Sequence, residues 1–248
     1  MNSTIVIPCF NESQRLPVDA FDRFLEEQNS VQFVFVDDGS RDDTFQIIKS
    51  LCNRHPKKTD ILRLSRNSGK AEAVRQGLLF ALSKKPDLMG FWDADLATPL
   101  TEIPRFISIF TKYPETKWVF GSRVKLLGRQ IKRSEFRHYI GRVYATFVSL
   151  VLDLEIYDSQ CGAKMFRVDS IIGLIISDKF RSKWVFDVEL IARLIKYLKR
   201  TNITSAQSII YEIPLESWND VKGSKLKLND FFMAIIDLFF IWKSIRNI

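Results

Sequence analysis

Five short apolar runs recur through the first half of the chain, and helical patterns of ten residues or more fill the gaps between them. The runs are Thr4–Pro8, Phe33–Asp37, Ile61–Ser65, Leu88–Trp92 and Trp118–Gly121. Each is too short for a core helix and draws on aliphatic and aromatic side chains, so each reads as a buried strand. The intervening segments Val18–Gln28, Thr44–Asn53, Lys70–Ser83 and Glu102–Thr111 carry the helical period, and Asp42 or Asp43 stands where a cap for the second is needed. Strands alternating with helices of this length imply βαβ units and a mostly parallel, twisted α/β sheet with helices on both faces. In such a doubly wound sheet, ligands bind beyond the carboxyl ends of the strands. A length of 248 residues suits one such unit with elaborations.

The last third changes character. Phe136–Leu152 and Asp187–Arg200 read as helices, Ile209–Ile213 as a strand, and Asn229–Ile248 as a C-terminal amphipathic helix. The last contains FFMAIIDLFFIW, twelve residues with one charge, against the ~20 needed to span a bilayer. As a helix those twelve reach only ~18 Å. The chain carries 37 Lys and Arg against 29 Asp and Glu, and seven of the former crowd into Arg123–Arg142 beside one Glu. Tyr139, Val143, Phe147 and Leu150 follow at helical spacing, a stripe that suits either a core or a lipid surface. Lys225, Lys227, Lys243 and Arg246 flank the second apolar helix, which favours two helices lying in the plane of an anionic membrane interface. The cations cluster beside apolar helices and not beside exposed aromatic platforms, which argues against a nucleic-acid partner. Cys9, Cys52 and Cys161 form no CxxC pair, so a reducing compartment and no zinc site are expected. The N-terminus runs directly into a strand, and no signal peptide is expected.

Three strand ends carry acids. Asp93-Ala94-Asp95 follows the fourth run directly, and two carboxylates one residue apart can converge on a hard divalent cation, Mg²⁺ or Mn²⁺, beside a diphosphate. Val36-Asp37-Asp38-Gly39-Ser40 ends the second run and Pro8-Cys9-Phe10-Asn11-Glu12 the first. Any one of these suits an ordinary capped turn; three at one sheet edge point to a site. Neither a GxGxxG fingerprint nor a P-loop is present. Of the two histidines, His55 sits in a polar turn and reads as a solvated side chain, while His138 lies in the basic segment.

PCFNE, VDDGS, NSGKAEAVRQG, DADLATP and GSR, in that order, resemble the nucleotide-sugar-binding half of inverting family-2 glycosyltransferases with the GT-A fold. DSQCGAKMFR, the W-x-F-D-V-E of Trp184–Glu189, and EIP…W…GSKL are similar to a narrower group, the dolichyl-phosphate β-glucosyltransferases and their bacterial relatives, with the mannose synthases as cousins. The resemblance covers residues 3–228. It implies a GT-A unit over 1–228, with a nucleotide-sugar half at 1–122 and an acceptor half at 123–228, followed by the helix at 229–248. It also implies roles. Pro8, Phe10, Glu12 and Asp38 would frame the base and ribose with Asp37 beside them, and Lys70 and Arg75 would lie near the base or diphosphate. Asp93 and Asp95 would hold the diphosphate through Mg²⁺ or Mn²⁺. Arg123 and Arg137 would face the acceptor phosphate. Asp158 and Gln160 would line the sugar pocket, with Trp184, Asp187 and Glu189 near it. Ser224 and Lys225 would close over the donor phosphates. Two positions depart from the wider pattern: Ala97 stands where mannose synthases carry a Gln, and Ala71 where GKG is common.

What the resemblance implies is transfer of a hexose, glucose from UDP-glucose, onto a polyprenyl phosphate, dolichyl or undecaprenyl, at the cytoplasmic face of a membrane. The alternatives are another donor such as GDP-mannose, a soluble acceptor, or a nucleotidyltransferase. A phosphate oxyanion is already a nucleophile at neutral pH, which suits a chain with two histidines and many arginines, whose forks match phosphate oxygens.

Overall fold

A computed structural model describes residues 1–132, 135–220 and 228–246. The elements run β1 (Ser3–Cys9), α1 (Val18–Glu27), β2 (Val31–Asp37), α2 (Thr44–Arg54), β3 (Thr59–Arg63), α3 (Lys70–Ser83), β4 (Leu88–Trp92), α4 (Glu102–Lys112) and β5 (Trp118–Ser122). They continue with β6 (Gln130–Lys132), α5 (Glu135–Leu152), β7 (Ala163–Arg167), α6 (Ser170–Ser177), α7 (Phe186–Thr201), α8 (Ala206–Ile209), β8 (Ile210–Pro214), β9 (Ser217–Asn219) and α9 (Leu228–Arg246).

The main sheet has seven strands in the order β3-β2-β1-β4-β7-β5-β8. All neighbours are parallel except β7, which runs antiparallel to both β4 and β5. Alternation along each strand feeds two cores. Ile5, Ile7, Phe33 and Phe35 face one side, where Phe21 of α1 packs edge-on against both phenylalanines at 5.4 and 5.2 Å. Val6, Val34 and Val36 face the other, under α3, α6 and α7. Strands buried on both faces must be apolar throughout, which is why the runs read so clearly.

The second core extends outward through a layer of helices. On α5, Ala145, Val148 and Leu152 are buried, while Tyr139, Val143, Phe147 and Leu150 are all more than half exposed. On α9, Ala234, Leu238, Ile241 and Ile245 pack inward, while Met233, Ile235, Ile236, Phe239 and Phe240 face out. The Tyr139–Leu150 stripe is therefore not core. Asp237, the lone charge in the apolar run of α9, accepts a hydrogen bond from Ser182 Oγ at 2.6 Å. All three cysteines are free.

Candidate active site

The parallel strands deliver the loops after β1, β2, β4 and β5 to one edge. After β1 and β2 those loops brace each other. Asn11 takes a left-handed backbone (φ 51°), its N–H donates to Ser40 Oγ at 3.0 Å, and its side-chain oxygen accepts from Arg41 N at 3.0 Å. Asp42, not Asp43, holds the start of α2, taking Thr44 N at 3.1 Å and Ser13 N at 3.2 Å. Burial works against the Asp42 carboxylate, but the Thr44 and Ser13 hydrogen bonds hold its pKa down at about 2. Glu12 is buried, pairs with Arg15 at 2.6 Å, and donates its backbone N–H to Thr44 Oγ1. Pro8 and Phe10 are half-buried at the end of β1.

Asp37 and Asp38 each take hydrogen bonds from the loops themselves. Asp37 is fully buried, accepts from Ser40 N at 3.0 Å and lies 3.1 Å from Arg63 Nε. Asp38 takes the N–H groups of Ser68 and Gly69 at 2.7 and 2.8 Å. These bonds shape the loop leading to α3. Gly39 permits the arrangement: its φ is +66°, and a Cβ there would stand 2.6 Å from the backbone carbon of Arg66.

From the start of α3, Lys70 reaches Asp93 at 2.5 Å. Burial by itself would lower the Lys70 pKa; the charges of Asp93, Asp187 and Asp95 outweigh it and raise it. Asp95 accepts the N–H of Ala97 at 3.1 Å and is followed by Leu96 in a left-handed conformation (φ 50°). A strained non-glycine backbone next to a carboxylate pair costs of order 1–3 kcal/mol and typifies sites that hold a fixed geometry. Burial, then the charge of Asp93, raises the Asp95 pKa above the ordinary carboxylate value. Ala97 has no ligating side chain; it serves through its backbone, its carbonyl accepting from Asn219 N at 3.0 Å.

Gly162 closes the far side. Its carbonyl takes Asp93 N–H at 3.1 Å, and a Cβ on it would fall 1.9 Å from Asp93 Oδ2. Gly162→Ala is expected to displace the Asp93 carboxylate and cut the activity of this site by about 10²-fold, checked by steady-state rates beside a melting curve.

Arg123 follows β5 and grips Asp158 with a fork: Nε to Oδ2 at 2.6 Å and Nη2 to Oδ1 at 2.7 Å. Burial opposes the charge on Arg123, but Asp158 more than compensates and raises its pKa. Ser159 Oγ and Gln160 Nε2, next along the same loop, are buried without a hydrogen-bond partner among the described residues. Buried polar atoms of this kind call for a ligand or water. Asp187 is 4 % exposed and paired with Lys164, which is fully buried, at 2.6 Å. Lys164 also donates to the carbonyl of Cys161 at 2.6 Å.

The expected set is thus brought together in part. Lys70, Asp93, Asp95 and Asp187 converge through the contacts and charges above; the charge of Glu12 is felt at Asp95 and that of Asp93 at Arg123, which Asp158 grips, and Gln160 follows on the Asp158 loop. Arg75 does not join them: it is tied to Glu72 and to the carbonyls of Ile176 and Ser177, locking α3 to the end of α6. Glu189 accepts from the backbone of Arg181 and Ser182 and pairs with Arg193, a role in bracing α7. Trp184 is 36 % exposed at the start of that loop–helix segment. His55 meets Asp22 at 2.8 Å, away from the site. Ser224 and Lys225 lie outside the described residues, as do the side chains of Arg137 and His138. Sequence reasoning carried Gly162 and Lys164 only as letters of DSQCGAKMFR and gave them no role; a lysine inside an apolar run and a glycine directly after a cysteine were the available signals.

Residues 4–174 match the family model described as glycosyl transferase family 2. The chain is 29 % identical over 248 residues to a dolichyl-phosphate β-glucosyltransferase of Trichomonas vaginalis, covering 95 % of this chain and 69 % of that one. It is 32 % identical to the dolichyl-phosphate β-glucosyltransferase of Saccharomyces cerevisiae, covering 91 % of this chain and 69 % of that one. Among solved structures it resembles glucosyl-3-phosphoglycerate synthase from Mycobacterium tuberculosis, crystallised with Mn²⁺, UDP-glucose and phosphoglyceric acid. The TM-score is 0.68 at 16 % identity, over 100 % of this chain and 80 % of that one. That likeness shows the fold.

Proposed function

The chain belongs to glycosyl transferase family 2, and from that premise we propose that it is an inverting hexosyltransferase moving glucose from UDP-glucose onto a polyprenyl phosphate. The observation that carries this reading is one pairing of opposites at the sheet edge: a carboxylate pair after β4 that meets the ammonium of Lys70, and a half-buried guanidinium fork after β5.

Asp93 and Asp95 suit a hard divalent cation. Both offer oxygen donors, the space beside Asp93 is kept open by the missing Cβ of Gly162, and the Asp95 carboxylate lacks enough compensating charge to keep its ordinary pKa. No group of three or more His, Cys, Asp or Glu able to hold a metal is found among the described residues, so the donor diphosphate and water would complete the shell. Mg²⁺ or Mn²⁺ bound there would supply positive charge to the leaving diphosphate.

The chain's own residues do the rest. Lys70 adds charge on the diphosphate side. The edge of Arg123 turned away from Asp158 orients the acceptor phosphate, and the donors of Ser159 and Gln160 meet sugar hydroxyls. An acceptor phosphate oxygen forms its bond to the anomeric carbon as the bond from that carbon to the diphosphate oxygen breaks, and UDP leaves from the opposite face. No proton has to be removed from the nucleophile, which accords with Asp187 being held by Lys164. Holding two anions in line and neutralising the leaving group lowers the barrier.

The acceptor arrives from a membrane surface in this reading. Helices α5 and α9 pack against each other and each leaves apolar side chains exposed, Arg181 and Arg246 stack on Phe240 and Trp242, and no helix among the described residues is long and apolar enough to cross a bilayer. Apolar faces ringed by cations suit the boundary of anionic lipid head groups.

The test is incubation with UDP-glucose and a polyprenyl phosphate in anionic vesicles. Free UDP, a β-glucosyl lipid and co-sedimentation of the chain with the vesicles are expected. Pyrophosphate release would point to nucleotidyl transfer instead, and turnover of GDP-mannose alone would overturn the donor assignment. Failure to sediment would remove the membrane from the reading.

A further inference from the structure

Glu212 lies on β8 and makes two contacts that the proposed chemistry leaves unexplained. Its Oε2 accepts the N–H of Tyr157 at 2.7 Å and its Oε1 that of Asp158 at 2.7 Å. Asp158 in turn accepts the Nε, Nη2 and backbone N–H of Arg123, at 2.6, 2.7 and 3.1 Å. Phe120 is register partner to Glu212, and Ser122, the residue before Arg123, to Pro214. One edge strand therefore fixes both ends of the Asp158–Arg123 fork: the arginine through the strand ladder, the aspartate through a carboxylate clamp. We infer that Glu212 is a positioning residue for acceptor recognition, setting the guanidinium of Arg123 through the loop at Asp158.

The side-chain chemistry is specific. Two amide donors converge on one group, and only a carboxylate offers an acceptor oxygen to each without presenting a donor. Burial pushes the Glu212 carboxyl up and the two amides only partly counter it, so placing a carboxyl here carries a desolvation cost. An apolar side chain would avoid that cost but would orphan two amides. The same loop is pinned from its other side by Arg142, whose guanidinium lies 3.7 Å from the centre of the Tyr157 ring. Arg123 itself sits 5.4 Å from the Trp218 ring, so a rotation of Asp158 would shift the fork against that ring.

The inference rests on the reading of Arg123 as the acceptor-phosphate ligand. The experiment measures UDP affinity, polyprenyl-phosphate KM, kcat and melting temperature for Glu212→Gln, Glu212→Asp, Arg123→Lys and the Glu212→Gln/Arg123→Lys double variant. Glu212→Gln places an NH₂ against one amide, and acceptor KM should rise about 10-fold with UDP affinity within about 2-fold of wild type. Glu212→Asp keeps both oxygens and should recover part of that loss; if the Gln variant does not fold, the Asp variant carries the test through a smaller rise in KM at unchanged UDP affinity. The double variant should be no worse than about 2-fold below Arg123→Lys alone, because both changes break one device. Multiplying losses, an unchanged KM in both Glu212 variants, or an equal fall in UDP affinity would each overturn the inference. If Arg123→Lys leaves acceptor KM unchanged, the acceptor reading of Arg123 fails, and the route from Glu212 falls with it. If Arg123→Lys raises KM and the Glu212 variants do not, only the present inference fails.

Discussion

An Asp95→Ala chain is expected to lose glucosyl transfer by about 10²–10³-fold or more while remaining folded. The two halves of that expectation have separate causes. Asp95 stands beside Asp93 at the end of β4 and is one of two hard oxygen donors offered to the donor diphosphate's cation; without it only Asp93, already engaged by Lys70, remains. Its own carboxylate, however, is a burden on the cation-free fold, since burial and then Asp93 raise its pKa above the ordinary value. A carboxylate whose folded pKa is raised disfavours folding once both states are ionised, and adds no such penalty below the unfolded value. The wild type should therefore lose stability as pH rises from the ordinary carboxylate range through the raised value, and Asp95→Ala should flatten that trend. Mn²⁺ with UDP should raise the wild-type melting temperature by linkage and leave the variant nearly unmoved. A variant that keeps wild-type rates across a metal titration, or an equal thermal shift on adding Mn²⁺ and UDP, would sink the assignment.

The legible part of this molecule is local. Runs such as Phe33–Asp37 and Leu88–Trp92 are buried on both faces, so composition alone marks them as strands. The carboxylates after β4 are neighbours in sequence and remain neighbours in space. The third strand begins at Thr59 and ends at Arg63, two residues earlier than the apolar pattern of Ile61–Ser65, because its ladder stops where β2 stops at Asp37. Leu64 adds one last bond, its N–H to the Asp37 carbonyl at 2.8 Å. β7 escaped notice because a strand with lysine at its second position reads as a surface segment; its burial depends on Asp187, 23 residues further on. The same holds for Glu212, whose partners lie 54 and 55 residues away. Asp37, Asp38 and Arg75 illustrate the converse. Their residue types suit a nucleotide site, and the structure adds claims on them from backbone groups and a neighbouring helix. Such claims are set by loop geometry that no periodicity encodes.

Lys164 is the position where the largest loss of stability is expected. It is fully buried on β7, its ammonium 5.4 Å from the centroids of both Phe91 and Phe120, with Asp187 and the Cys161 carbonyl as hydrogen-bond acceptors. Lys164→Met fills nearly the same volume but leaves Asp187 as a buried carboxylate without its counter-ion, at a cost of about 3–5 kcal/mol. For a chain of this length that corresponds to a fall in melting temperature of about 6–20 °C. Removing both charges, as Lys164→Met with Asp187→Leu, deletes the uncompensated group and should recover most of that loss, since apolar replacement of a buried pair is often neutral. Activity should not follow stability. Lys164 anchors the Cys161 carbonyl, the next residue is the glycine packed on Asp93, and Asp187 contributes to the charge that keeps Lys70 protonated. The stable double variant is expected to bind UDP more weakly and to remain poor in transfer. Thermal unfolding of the two chains, run beside UDP titration, separates these effects. A single variant as stable as wild type would mean Asp187 is compensated by another cation, and a double variant with full activity would mean the pair serves packing alone.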